Sequence, residues 1–280
     1  MINKFAGIDL ENKIIMGVLN LSAKTFYKGS FVKNAEEATN RAETMVRDGA
    51  EMIDLGAMST GPQVKPVSAD KEKKTLLPIL EAVRGKIDVP ISIDTQRAEI
   101  AEESLNRGAD IINDVSGLKA DQDMPRIVSN YDCSVIIMAN RISGRIRTAE
   151  KESGDIENIT DVRKGLKESL QICEDYGIKR NKIAIDPSIG FGRKREQDLK
   201  VIAELDDLLE LKLPICIGIS RKSFLDKILD LDTPSDRLPA SLGATAVAIT
   251  KGADIIRTHD PKETAQFVRT IETIQQNEEK

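Results

Sequence analysis

The 280-residue sequence predicts a single (β/α)8 barrel of the TIM type, spanning residues 1–280 as one domain. Three observations predict it. Eight short β-rich runs recur along the chain, most of them near-continuous in apolar residues, as parallel strands covered on both faces require. Helical patterns lie between them, long enough for right-handed crossovers. Three junctions repeat almost literally: 49–54 (GAEMID), 108–113 (GADIIN) and 252–257 (GADIIR). An open doubly wound sheet, made of the same units, is the alternative architecture.

In chain order, 14–19 (IIMGVL) is the first strand and the polar stretch 20–34 leads to a helix at 35–48 (AEEATNRAETMVRD). A glycine follows that helix, suited to the left-handed conformation that ends it, and the strand 51–56 (EMIDLG) begins at once. The third strand is 89–94 (VPISID), followed by a helix at 97–107; the fourth is 110–115 (DIINDV) and the fifth 134–139 (SVIIMA). Residues 141–160 (RISGRIRTAEKESGDIENIT), polar and rich in charge, read as a mobile loop ahead of a helix at 161–176. The last three strands are 182–187 (KIAIDP), 214–219 (PICIGI) and 253–258 (ADIIRT), with a helix at 240–250 before the final one.

Composition narrows the function. With 40% hydrophobic and 31% charged residues the chain reads as an ordinary soluble globular protein. The formal net charge is −5 and both signs are interspersed, which argues against a nucleic-acid partner. No long apolar segment suggests a signal peptide or a membrane span, so a cytoplasmic location is expected. Cys133, Cys173 and Cys216 are odd in number and widely spaced, and His259 is the sole histidine. Buried free thiols are expected rather than a zinc site or a disulfide framework.

In such a barrel the chemistry lies at the carboxyl ends of the strands. The residues there are Asn20; Asp54, with Ser59 and Thr60 soon after; Asp94 and Thr95; Asn113 and Asp114; Asn140; Asp186; Ser220, Arg221 and Lys222; and Arg257, His259 and Asp260. Each of these types also caps helices and builds turns, so singly they say little. Together, Asp94, Asn113 and Asp186 would point into one mouth, where two carboxylates and an amide suit an amino-pyrimidine edge. Lys222, Arg257 and His259 come from the last two strands and form a cationic trio suited to an anion. The segment 186–192 (DPSIGFG) permits a tight backbone path with Phe191 as an apolar wall, although an ordinary loop is its default reading.

On these stretches the chain resembles the dihydropteroate synthases, from about residue 13 to about residue 272. The carriers are 16–20 (MGVLN), 93–95 (IDT), 108–117 (GADIINDVSG), 185–192 (IDPSIGFG), 218–224 (GISRKSF) and 252–260 (GADIIRTHD). The resemblance implies condensation of 6-hydroxymethyl-7,8-dihydropterin diphosphate with p-aminobenzoate or a related arylamine, diphosphate leaving. By that resemblance Asp94, Asn113, Asp186 and Lys222 hold the pterin; Asn20, Arg257 and His259 hold the diphosphate, with Mg²⁺ at Asn20. Thr60, Phe191 and Ser223 border the arylamine pocket. Catalysis falls to Asp94, Asp186, Lys222, Arg257 and His259, and a homodimer is implied.

The sequence departs from the family at three points. Lys24 stands where the first loop usually has Asp, which reverses the sign of a charge near a developing cation. Gly61 stands where the second loop usually has Arg, and 138–140 reads Met-Ala-Asn in place of Met-His-Met, removing a polar group from the rim. Two alternatives follow: a pterin-dependent methyltransferase acting on a corrinoid protein, or a pterin-binding protein without catalysis. The intact anion site, 220–224 with 257–259, favours the synthase.

Overall fold

The computed structural model describes residues 2–22, 29, 31–58, 67–140, 156–230 and 233–278. It opens with an antiparallel hairpin of β1 (Lys4–Phe5) and β2 (Ile8–Asp9). Eight parallel strands follow: β3 (Ile14–Asn20), β4 (Met52–Gly56), β5 (Ile91–Asp94), β6 (Ile111–Asp114), β7 (Ser134–Met138), β8 (Ile183–Asp186), β9 (Cys216–Ile217) and β10 (Ile255–Thr258). They pair in the order β8-β7-β6-β5-β4-β3-β10-β9, and the two ends meet in a parallel bridge between Ile185 and Ile215. That bridge, with Ile185 N–H donating to the Pro214 carbonyl at 2.9 Å, closes the circle and excludes the open sheet.

Around the strands lie α1 (Ala35–Arg47), α2 (Ala69–Arg84), α3 (Ala98–Leu105), α4 (Met124–Tyr131), α5 (Ile159–Asp175), α6 (Arg195–Ala203), the short α7 (Asp226–Leu229), α8 (Leu238–Thr250) and α9 (Pro261–Glu278). Local chemistry sets their starts. Asn34, Ser68 and Asn158 accept hydrogen bonds from Glu37, Lys71 and Asp161 N–H groups, capping α1, α2 and α5. The Asn158 cap starts α5 two residues before the predicted 161. At the repeated junctions Gly49, Gly108 and Gly252 have φ of +104°, +90° and +96°, the left-handed turn the sequence predicts.

The barrel interior is layered. Its lower part is apolar: Ile14, Met16, Met52, Ile111, Ile136, Ala184, Cys216 and Ile255 pack on Phe5 from the hairpin, which covers the amino-terminal end. Side chains on one strand face recur every second residue. One step up, four strands exchange an apolar side chain for a polar one: Met52 to Asp54, Ile111 to Asn113, Ala184 to Asp186 and Ile255 to Arg257. Register aligns this upper layer, with Asp54 opposite Ser92 and Asp94 opposite Asn113. A larger apolar shell fills the space between strands and helices.

The hairpin is absent from the sequence prediction because two-residue strands leave no periodicity to read. The seventh predicted strand, 214–219, contracts to Cys216–Ile217 between Pro214 and Gly218. Lys24, Thr60, Gly61 and residues 141–155 of the predicted mobile loop lie outside the described residues.

Candidate active site

Asp54, fully buried on β4, organises one wall of the upper layer. Ser92 Oγ donates to its Oδ1 at 2.6 Å, and Asn113 Nδ2 lies 3.4 Å from its Oδ2. Arg257 supplies Nε at 2.7 Å and Nη2 at 2.6 Å to the same Oδ2, and its Nη2 also stands 3.3 Å from Asp94 Oδ2. One guanidinium therefore bridges two carboxylates from neighbouring strands. Asp94 Oδ1 is buried and has no hydrogen-bond partner among the described residues. A buried acceptor left in that condition is costly unless a donor reaches it or the carboxyl takes up a proton. Burial first, then the Asp54 anion, push Asp94 up to about 8 against the pull of Arg257.

The opposite wall pairs Asp186 with Lys222. Asp186 Oδ1 accepts from Ser188 N–H at 2.6 Å, and burial holds this carboxyl above its ordinary range despite Lys222 nearby. Burial also draws the Lys222 ammonium down to about 8, with Asp186 opposing. Lys222 Nζ donates to the Ile189 carbonyl and sits 4.5 Å from the centre of the Phe191 ring, a cation–π contact. Gly190 makes this approach possible: its φ is +74°, and a Cβ there would lie 2.5 Å from Lys222 Cδ. Arg193 fastens the loop from beneath, with Nε on Asp198 at 2.9 Å and Nη2 on the Pro187 carbonyl at 2.9 Å. The Gly-x-Gly segment is thus a built support for Lys222 rather than a default loop.

The structure shows the surroundings of each member of the expected cationic trio. Arg257 is engaged by Asp54 and Asp94 inside the barrel, and Lys222 faces Asp186. His259 is held well below its usual value, by burial and then by Arg257, Arg221, Arg41 and Lys222, so it is neutral. Its Nδ1 lies 2.9 Å from Ser220 Oγ, which in turn accepts from the His259 N–H at 3.2 Å. A Ser220 hydroxyl donating to Nδ1 leaves the ring proton on Nε2. Arg221 is structural: it grips Asp260 through two nitrogens at 2.8 and 2.6 Å and the Pro234 and Ser235 carbonyls at 2.9 and 2.7 Å.

Asn20 ends β3 half-buried, and Ser223 is exposed next to Lys222. Asn140 is fully buried, and its Nδ2 donates to the Ser116 carbonyl at 2.8 Å. It braces the β6 and β7 ends. Thr60, expected in the arylamine pocket, lies outside the described residues.

Asp54 stood among the strand-end residues of the sequence without being separated from the caps. A signal was present. Asp54, Asn113 and Arg257 hold the same sixth place in the three repeated junctions, and these three side chains meet.

The mouth therefore offers a hydrogen-bond-hungry carboxyl, an amide, a second carboxyl and an ammonium around one opening, with a guanidinium in the same layer. A flat heterocycle with adjacent N–H donors fits that set. Residues 16–259 match the family model of the pterin binding enzymes. Over 260 residues the chain is 34% identical to a dihydropteroate synthase of Synechocystis sp., covering 93% of this chain and 89% of that one. A Clostridium difficile dihydropteroate synthase solved in the presence of pteroic acid is 35% identical, with a TM-score of 0.85 over 94% of this chain and 97% of that one. A Xanthomonas albilineans dihydropteroate synthase solved with 4-aminobenzoic acid also gives a TM-score of 0.85, at 25% identity over 96% and 95% of the two chains.

Proposed function

We propose the reaction at this site from one premise: the chain belongs to the dihydropteroate synthase family of pterin-binding enzymes. It is a transferase that condenses 6-hydroxymethyl-7,8-dihydropterin diphosphate with p-aminobenzoate, or a related arylamine, and releases diphosphate. The observation that carries this reading is the unpaired, buried Asp94 Oδ1, set beside Asn113 and facing the Asp186–Lys222 wall. An amino-pyrimidine edge supplies the donors that this oxygen lacks.

The C–O bond between the exocyclic methylene and diphosphate breaks, the arylamine nitrogen forms the new C–N bond, and an amine proton is lost. Asp94, giving up its proton as the ring N–H groups reach it, and Asp186 accept from the ring and favour the positive charge that spreads into it as diphosphate departs. Asn113 and Lys222 complete the ring contacts. Arg257 meets the diphosphate as a cation, and neutral His259 meets it as an Nε2–H donor. Phe191, Ser223 and Thr60 border the arylamine.

Mg²⁺ fits as a partner of the substrate rather than of a protein cage. Among the described residues no group of three or more His, Cys, Asp or Glu could hold a metal ion. Asn20 would hold Mg²⁺ through its amide oxygen, a hard donor of the kind this ion takes. When bound, it neutralises charge on the departing diphosphate.

A second copy of the chain covers α8. This helix is mostly apolar, yet Val247 is 44% exposed, with Gly243 and Pro239 exposed one and two turns before it. Val247→Arg is expected to convert a homodimer to monomer in sedimentation; unchanged mass would remove α8 from the interface. Three buried free thiols agree with a cytoplasmic location, and no described helix is long and apolar enough to cross a membrane. Residues 1–280 then act as one barrel domain.

Turnover of the purified protein with the pterin diphosphate, Mg²⁺ and p-aminobenzoate tests the reaction. Diphosphate release that depends on the amine and matches condensed product is expected. Tight pterin binding without release would refute the synthase reading in favour of a binding or methyl-transfer role.

A further inference from the structure

Behind the Asp94 wall, on the helix side of the strands, lies a second carboxylate that the site above does not use. Glu72, in the first turn of α2, is fully buried. Its Oε1 accepts from Thr95 Oγ1 at 2.8 Å, and its Oε2 pairs with Arg97 Nη1. Thr95, also fully buried, directly follows Asp94 and takes a further bond from Arg97 N–H at 3.3 Å. Arg97 then ties the cluster outward: Nη2 donates to the Val67 carbonyl at 2.6 Å, and Nη1 lies 3.9 Å from Met58 Sδ. A single carboxylate and a single guanidinium thus join the exit of β4, the exit of β5 and the entry to α2.

A buried ion pair is seldom the most stabilising way to fill a space, since apolar groups of equal volume often do better. What this pair supplies is directional contact, and the direction is toward the residue beside Asp94. On its other flank Asp94 rests against Gly56, where an added Cβ would lie 3.3 Å from Asp94 Cβ. Its side chain is therefore confined between the β4 backbone and a strand end whose hydroxyl is held from behind.

We propose that Glu72 and Arg97 are positioning residues for pterin recognition, fixing Thr95 and, through it, the orientation of the Asp94 carboxyl. This rests on the reading of Asp94 as a pterin acceptor. Glu72 also acts through its charge. The charged groups facing Asp94 are Asp54 from β4, Arg257 from β10, Glu72 from α2 and Asp114 from β6, and of these only Arg257 favours ionisation.

Two variants test the proposal in fluorescence titrations with 6-hydroxymethylpterin across pH, alongside the KM for p-aminobenzoate. Thr95→Val keeps the shape and removes the hydroxyl; it is expected to weaken pterin binding about fivefold, with the p-aminobenzoate KM unchanged. Glu72→Gln keeps an acceptor for Thr95 and removes the charge. It is expected to move the pH midpoint of pterin binding down by about half a unit or more while leaving affinity at high pH close to wild type. Should Glu72→Gln fail to fold, because Arg97 is left unpaired, Thr95→Val decides alone. Wild-type affinity in Thr95→Val, or an unmoved midpoint in folded Glu72→Gln, overturns the proposal. Failure of the wild-type protein to bind the pterin would instead overturn the assignment of the site itself.

Discussion

Replacing Asp94 by Asn removes a proton-binding group and changes little else in volume. In the folded protein burial and the neighbouring Asp54 hold this carboxyl well above its ordinary 3.8. Each pH unit over which only the folded chain holds that proton costs about 1.4 kcal/mol. The sign follows from the raised value: between pH 4 and 8 the folded chain keeps a proton that the unfolded chain has released. Stability is therefore lost as pH rises through this window. Between pH 5 and 7 the share of this one group is about 2–3 kcal/mol. Urea unfolding at those two pH values should show that loss in the wild-type protein on top of what the other carboxylates contribute, and Asp94→Asn should lack it. The variant should also bind 6-hydroxymethylpterin at least about tenfold more weakly, since a hydrogen bond to a charged acceptor contributes roughly 1.5–3 kcal/mol. An equal stability loss in both proteins between pH 5 and 7 would refute the picture of Asp94 as a buried, under-solvated acid.

Three further outcomes are expected. Arg257→Ala leaves Asp54 and Asp94 as neighbouring buried acids, so stability should fall by about 3–5 kcal/mol, and affinity for the diphosphate ester should fall further than affinity for hydroxymethylpterin; equal losses for both ligands in isothermal titration would discredit the anion assignment. Lys222 titrates near 8 when folded and at 10.5 ordinarily, so it adds stability as pH climbs from 8 toward 10.5, and Lys222→Met should remove that rise in denaturant titrations at the two ends. Gly190→Ala forces a side chain into a left-handed conformation against Lys222, which should cost about 1–3 kcal/mol and weaken pterin binding; a wild-type melting curve with unchanged affinity would show that the loop yields freely.

The strands were legible in the sequence because parallel strands buried on both faces read as continuous apolar runs, and the ends of those runs are where Asp94, Asn113, Asp186 and Arg257 stand. Closure was expected from the count of eight units, but the contact that makes it was not legible. That contact is a bridge between Ile185 and Ile215, at a seventh strand that Pro214 and Gly218 shorten to two residues. Residue type located the ionisable groups, but pairing gave them their state: Arg257 is a cation already in use by Asp54, and His259 carries no charge. Neither fact follows from sequence spacing, because both depend on which strands are neighbours. Glu72 was invisible for a related reason. In a helix its type suggests an exposed acid, and only the packing of α2 behind β5 buries it against Thr95 and Arg97.

The hairpin under the barrel has a consequence for traffic. Phe5, with Ala6, Ile8 and Leu10 beside it, packs on the lowest interior layer, so among the described residues the hairpin floors the bore at its amino-terminal end. A ring seated on Asp94 and Asp186 lies between that floor and whatever arrives later. The arylamine and the departing diphosphate must then pass through the same mouth, and the pterin has to enter before its acceptor. Steady-state kinetics with an ordered arrival of substrates, and inhibition by amine analogues that strengthens once the pterin is in place, are what a bore floored at one end imposes.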